Sequence, residues 1–241
     1  MKLLLKIKQA FFEKVILGFF FVSFASVAVA QERVMLIADP HVLASSLVEQ
    51  GAAMDEMMDG QRKMLDISEE VFVALIDTAL AHKPDLVLIP GDLTKDGEMA
   101  SHVVVAEQLQ RLQVAGINVL LIPGNHDIGG EAYAYLGADR VAVESLSDSE
   151  WENTYAMVYD QATAKDPNSH SYVAEPLAGV TVLGIDASHN AGEGYLSDET
   201  LTWVLQQADE AFFVRQAGLT DIRDEPIERE REGTDRKLTR D

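Results

Sequence analysis

Three short stretches of the sequence place ionisable side chains directly after an apolar run. "RVMLIADPH" ends in Asp39 and His41, "DLVLIPGD" ends in Asp92, and "INVLLIPGNHD" ends in Asn125, His126 and Asp127. A turn needs only a glycine and an Asn or Asp, so the added imidazoles and carboxylates ask for another explanation. Carboxylate, imidazole and amide donors around one point suit Zn, Mn or Fe, and the two oxygens of a carboxylate can bridge two cations. Two such ions, about 3.5 to 4 Å apart, can clamp the attacking and leaving oxygens of a phosphoryl displacement. Taken singly, Asp-Pro-His, Gly-Asp and a lone His are weak signals; their order along the chain is what carries the reading.

The elements between these stretches decide whether they can meet. Ser68 is placed to cap a helix with Glu69 and Glu70 in its first turn, and Phe72, Leu75, Ile76, Ala79 and Leu80 follow at helical spacing until Pro84. Residues 99–115 carry Val105, Leu109 and Leu112 on one face, and Gly116 is a natural terminator. The order is therefore strand, helix, strand, helix, strand. Continuous apolar strands of this kind form a parallel α/β sheet with right-handed crossovers, and ligands bind beyond the carboxyl ends of its strands. All the polar tails lie at that end.

Further along, "AAMDEMMDGQRKM" within residues 42–66 reads as an inserted loop with some helix, its methionines used for packing. Residues 170–188 read as a hairpin turning around Pro176 to Gly179. Ser197 caps a helix to about Ala211, with Leu201, Val204, Leu205 and Ala208 on its apolar face. After Phe213 the pattern fails: the last 27 residues hold 7 basic and 8 acidic side chains and no usable period, so residues 214–241 read as a disordered or aberrant tail.

The first thirty residues read as a signal peptide. Lys2, Lys6, Lys8 and Lys14 precede an apolar run from Val15 to Val29, and Ala28-Val29-Ala30 supplies a cleavage site. That run of 15 residues falls short of the ~20 a spanning helix needs. The expectation is a secreted or periplasmic protein without a stable membrane anchor after cleavage, and without disulfides, since the chain has no cysteine. Removing four Lys and one Glu from totals of 19 basic and 40 acidic residues leaves 15 and 39 in the mature chain, a net charge of −24. Such acidity argues against a nucleic-acid-binding surface. "DLTKDGEMASHV" has Asp92, Asp96 and Gly97 at EF-hand positions, but Val103 stands where a bidentate Glu is needed.

At these motifs the sequence resembles the calcineurin-like metallophosphoesterases, whose pattern is D-x-H, G-D, G-N-H-D/E and, later, a lone His and G-H-x-H. Here Asp39-Pro40-His41, Gly91-Asp92 and Gly124-Asn125-His126-Asp127 match, and "GYLSDETLTWV" resembles the segment before the later histidines. The resemblance implies an αββα sandwich over residues 31–213 and two divalent metal ions, Mn, Fe or Zn. It further implies hydrolysis of phosphate monoesters or diesters by attack of a metal-bound hydroxide. It assigns Asp39 and His41 to the first metal, Asp92 as the bridge and Asn125 to the second. His126 would face the phosphate and serve the leaving oxygen, with Asp127 orienting its ring. The family's later histidines have no counterpart, because no His follows His189. The second sheet is therefore expected to be incomplete, and a truncated, inactive relative with partial metal binding is the alternative reading. His189 is the candidate substitute ligand, whereas His82 and His102 are expected to face solvent.

Overall fold

A computed structural model describes residues 32–59, 63–188 and 195–217, with side chains as far as Glu210. The leader, the end of the tail and His189 lie outside the described residues. The first sheet joins β1 (Val34–Leu36), β3 (Leu86–Ile89) and β4 (Asn118–Leu121), all parallel, with β3 in the middle. Its register pairs Met35 with Val87 and Val87 with Val119. The crossovers run through α2 (Ser68–His82) and α3 (Met99–Val114), as the spacing of apolar residues predicts. Phe72, Ile76 and Ala79 of α2 and Val105, Leu109 and Leu112 of α3 are buried in one cluster with Leu86, Val87, Val119 and Leu121.

Two details of α2 differ from the sequence expectation. Ser68 is the first helical residue and not the cap; its hydroxyl donates to Leu65 O (2.9 Å) and accepts from Leu43 N (2.9 Å), tying the helix to the chain after His41. Leu75 does not join the core with Ile76. It is 38 % exposed, as is Val71 at 37 %, so α2 carries a second apolar stripe one step round from the buried one.

The remaining chain forms two more three-stranded sheets. Between β1 and α2 lie β2 (Val48–Glu49) and α1 (Ala52–Met58), where Met54 is buried as packing. β2 pairs with β5 (Tyr133–Leu136) in parallel, and β5 with β6 (Asp139–Ala142) in a hairpin that periodicity does not announce. After the short helices α4 (Asp148–Thr154) and α5 (Ala156–Tyr159), β7 (Ala162–Lys165), β8 (Tyr172–Leu177) and β9 (Val180–Gly184) make an antiparallel sheet. The β8–β9 turn sits at Ala178-Gly179, where Gly179 takes φ +74°, as expected for this hairpin. This sheet meets the first one through Tyr172, whose hydroxyl donates to Leu121 O (2.9 Å), and Asn118, whose amide donates to Pro176 O (2.9 Å).

The last described helix, α6 (Asp198–Ala217), starts where expected, with Thr200 N donating to the Ser197 hydroxyl at 3.0 Å. It runs past Phe213, where the sequence pattern fails. Its apolar face is only partly used: Val204 is buried, but Leu201 and Leu205 are 43 % and 58 % exposed. Among the described residues no helix is long and apolar enough to cross a membrane.

The two faces of α2 give a direct test. Ile76 is fully buried and Leu75 is not, so Ile76→Ala should cost about 2–5 kcal/mol of unfolding free energy, and Leu75→Ala under about 1 kcal/mol. Urea denaturation of the two variants side by side reads the difference.

Candidate active site

Pairing between the first two site loops continues past the ends of their strands. His41 N donates to Asp92 O (2.9 Å), Val42 N to Leu93 O (2.9 Å) and Lys95 N to Val42 O (3.1 Å). The chain after β1 therefore runs beside the chain after β3 and carries His41 to Asp92. The turns that allow this are strained. Asp39, His41 and Asp92 adopt φ of 48°, 42° and 51°, the left-handed region that L side chains rarely occupy. Among the described residues the only other non-glycine at positive φ is Lys83, at the C-terminus of α2. Strain of this kind persists where surrounding structure enforces it, and it clusters at functional sites.

The glycines of the motifs serve close approach. A Cβ on Gly91, at φ +102°, would lie 2.8 Å from Gly124 Cα, and one on Gly124 would collide with the backbone nitrogen and carboxylate of Asp92. The two loops are thus pressed together with Asp92 between them.

Donor atoms of His41, Asp92 and His126 all lie within 4.8 Å of one another. His41 Nε2 stands 3.4 Å from Asp92 Oδ2, while Asp92 Oδ1 accepts from His126 N (3.3 Å). The His41 and His126 rings meet edge to face with centroids 4.9 Å apart. Asp92 is central, as the strand order requires. Asp39 lies outside this tight group, on the exposed turn before His41, and Asn125 is exposed on the turn between Gly124 and His126.

The group fits a cation. Burial, then the nearby Lys63 ammonium, lowers the His41 pKa and favours the neutral ring that ligates metals. Lys63 Nζ sits 2.8 Å from His41 Nε2, so a positive charge already stands against this donor. The His41 imidazole and the Asp92 carboxylate are donors of the kind Zn, Mn or Fe take, and the His126 ring stands against them.

Asp127 does not orient the His126 ring. Its carboxylate is fully buried and turned into the core, accepting from Thr94 N (2.8 Å), the Thr94 hydroxyl (3.0 Å) and Gly124 N (2.7 Å). Burial raises its pKa to about 6 against the pull of those hydrogen bonds. The ring is held by Asp96 and a carbonyl: His126 Nδ1 lies 2.9 Å from Asp96 Oδ1 and 2.7 Å from Lys95 O. Both partners accept, so Nδ1 carries the hydrogen and Nε2 is left for chemistry. Burial alone would raise the Asp96 carboxyl, but hydrogen bonds from Lys95 and His126 hold it below its usual range. Asp96 stands in the sequence as a matching position of the EF-hand-like reading that Val103 defeats; its spacing after Asp92 gave no hint of this role.

His102 does not face solvent, contrary to the sequence expectation; it is fully buried beneath the site. Its Nε2 lies 2.8 Å from Asp127 O and its Nδ1 2.7 Å from the Tyr155 hydroxyl. The carbonyl can only accept, so Nε2 carries the hydrogen and Tyr155 donates to Nδ1. Its place on the inner face of α3, three residues before Val105, was the available signal.

A model of the calcineurin-like phosphoesterase family matches residues 32–237. With three strand-end loops converging as described, the chain belongs to that family of phosphoric ester hydrolases. It is also similar to a probable cyclic nucleotide phosphodiesterase of Moraxella catarrhalis (strain BBH18), at 29 % identity over 142 residues. That alignment covers 58 % of this chain and 44 % of the relative, so the match spans less than half the relative's length.

Two measurements follow from this geometry. Gly124→Ala should cost about 1–3 kcal/mol by overpacking the two loops, read as a lowered urea midpoint. Burial lowers the His102 pKa from 6.5 to about 4, so the unfolded chain takes up the proton first as pH falls. The His102 contribution to stability should then be full above pH 6.5 and fall on the order of 3 kcal/mol by pH 4, while Asp127, whose pKa is raised, shifts stability the opposite way in both proteins compared. Denaturation across that window in wild type and in His102→Gln, which removes this contribution, gives the comparison.

Proposed function

We propose that the chain is an exported phosphoesterase that binds two divalent cations, Mn, Fe or Zn, and hydrolyses phosphate esters, diesters in preference to monoesters. The observation that carries this reading is the convergence of His41, Asp92 and His126 on strained, closely packed loops. In this reading Asp39 and His41 hold one cation, Asp92 bridges and Asn125 serves the second. The central place of Asp92 supports the bridging role. Bound cations would supply Lewis acidity toward water and the phosphoryl oxygens. The preference for diesters is supported by the printed name of the Moraxella relative. Export to the periplasm or medium is supported by the basic, then apolar, leader ending in Ala28-Val29-Ala30.

The chain's own residues then handle the proton. His126 Nδ1–H is committed to Asp96 and Lys95 O, so Nε2 can deliver a proton to the leaving oxygen as the phosphorus–oxygen bond breaks. Asp96 accepts from Nδ1–H and so holds the ring in place for that transfer. Asp127 contributes by holding the turn that carries His126.

With Mn or Zn added, the protein should hydrolyse bis-p-nitrophenyl phosphate, and a chelator should abolish this. His126→Ala should lower turnover by about 10² to 10⁴-fold with metal content by atomic emission unchanged. Asp96→Asn, which removes the carboxylate that accepts from Nδ1–H, should lose about 10-fold or more. Loss of bound metal in His126→Ala would instead make His126 a ligand and overturn its assignment as the proton donor.

A further inference from the structure

A cavity of about 300 Å³ opens beside the site, between the turn at Asp39–His41 and the first half of α2. Its wall is apolar, formed by Met64, Val71, Phe72 and Leu75. Three of these are large hydrophobic side chains with considerable exposure: Met64 at 61 %, Val71 at 37 % and Leu75 at 38 %. Val71 and Leu75 stand four apart on α2, so they form one stripe along the cavity. Asp39 and His41 make one end of the wall, which joins the cavity to the proposed metal site, and Lys63 stands with them. Lys63 Nζ is 2.8 Å from His41 Nε2.

We propose that this cavity seats the organic group of the phosphate ester, and that Lys63 is a phosphate-positioning residue at its mouth. The inference rests on the phosphoesterase reading and adds to it the class of substrate. A phosphoryl group placed at His41 is within reach of the Lys63 ammonium, and the group it carries then lies against Val71 and Leu75. Charge at one end and apolar wall at the other match an ester whose alcohol is apolar. The volume stands at the bottom of the range for small-molecule pockets, roughly 300–1,000 Å³, which selects a single ring or short chain over a larger, polar alcohol.

The test uses two phosphonates that cannot be hydrolysed, phenylphosphonate and methylphosphonate, titrated calorimetrically into the full chain in excess Zn²⁺. Wild type should bind the phenyl compound at least ~10-fold more tightly, the scale set by burying most of one ring. The double variant Val71→Asn, Leu75→Gln should bring the two within about 2-fold of each other by losing phenyl affinity alone. Lys63→Met should weaken both by about 10-fold, and Lys63→Arg should retain most of the affinity. In wild type the methyl NMR signals of Val71 and Leu75 should shift with phenylphosphonate and stay in place with methylphosphonate. Equal affinity for the two compounds, unmoved methyl signals, or no phenylphosphonate binding by a chain that hydrolyses the nitrophenyl ester would overturn the cavity assignment alone. Failure to bind either phosphonate, with no ester hydrolysis, would overturn the phosphoesterase reading and this inference with it.

Discussion

A buried carboxylate holds the site together. Asp127 has no solvent exposure and spends both oxygens on the backbone of Gly124, the backbone of Thr94 and the Thr94 hydroxyl. It thereby closes the turn that presents Asn125 and His126 and fastens that turn to the loop that presents Asp92. The same threonine hydroxyl accepts from Gly97 N (3.1 Å), so the fold of the second loop depends on this contact too. His102 completes the arrangement from below through Asp127 O. Burying a carboxylate is unfavourable unless its lone pairs are used, and here three donors use them. Backbone position at the site is therefore fixed by polar contacts inside the core, and the residues facing outward are free for ligands.

That fixing is what permits the strain. Left-handed backbone at Asp39, His41 and Asp92 is unfavourable at each residue, and no local contact of those side chains explains all three. The parallel ladder between the loops after β1 and β3, together with the packing of Gly91 against Gly124 in the loop after β4, imposes it. Its effect is directional: each turn reverses sharply enough for the next polar side chain to aim across the strand ends at the same point. A flatter exit from β1 or β3 would relieve the strain and leave His41 and Asp92 on separate surfaces.

Periodicity carried much of this. The apolar runs at 34–38, 86–89 and 119–122 and the stripes at Phe72, Ile76, Val105 and Leu109 lead to a parallel sheet between helices, because each signal is repeated over several residues. The position of Asp92 between the other loops follows from the central place of its strand. What stayed hidden were interactions between residues distant in sequence and dependent on side-chain direction. Asp96 and His126 are thirty residues apart and meet only because two loops are stapled together. His102 reads as a polar residue on an amphipathic helix until Tyr155 and the Asp127 carbonyl are seen to satisfy it. Adjacent residues misled for the opposite reason: Asp127 follows His126, yet the turn sends their side chains to opposite sides. The β5–β6 hairpin escaped because only Ala134 and Tyr135 of its eight strand residues are buried, too few to leave a pattern.

Electrostatics set the last requirement. A chain with a net charge of −21 repels phosphate esters at long range, although salt screens that field beyond roughly 8 Å at physiological ionic strength. Capture of an anion must then be local. Lys95 is unsuited to it, since its ammonium is buried, paired with Asp96 and set over the Tyr135 ring. Its work is to hold Asp96 charged so that Asp96 can hold His126. Lys63 is different: among the described residues its ammonium leans on the His41 imidazole and not on a carboxylate, so an arriving phosphoryl oxygen offers a better partner than the one it leaves. Local positive charge from Lys63 and bound cations, with apolar surface beside it, would let an acidic protein draw in an anionic ester at short range while its outer surface stays strongly negative.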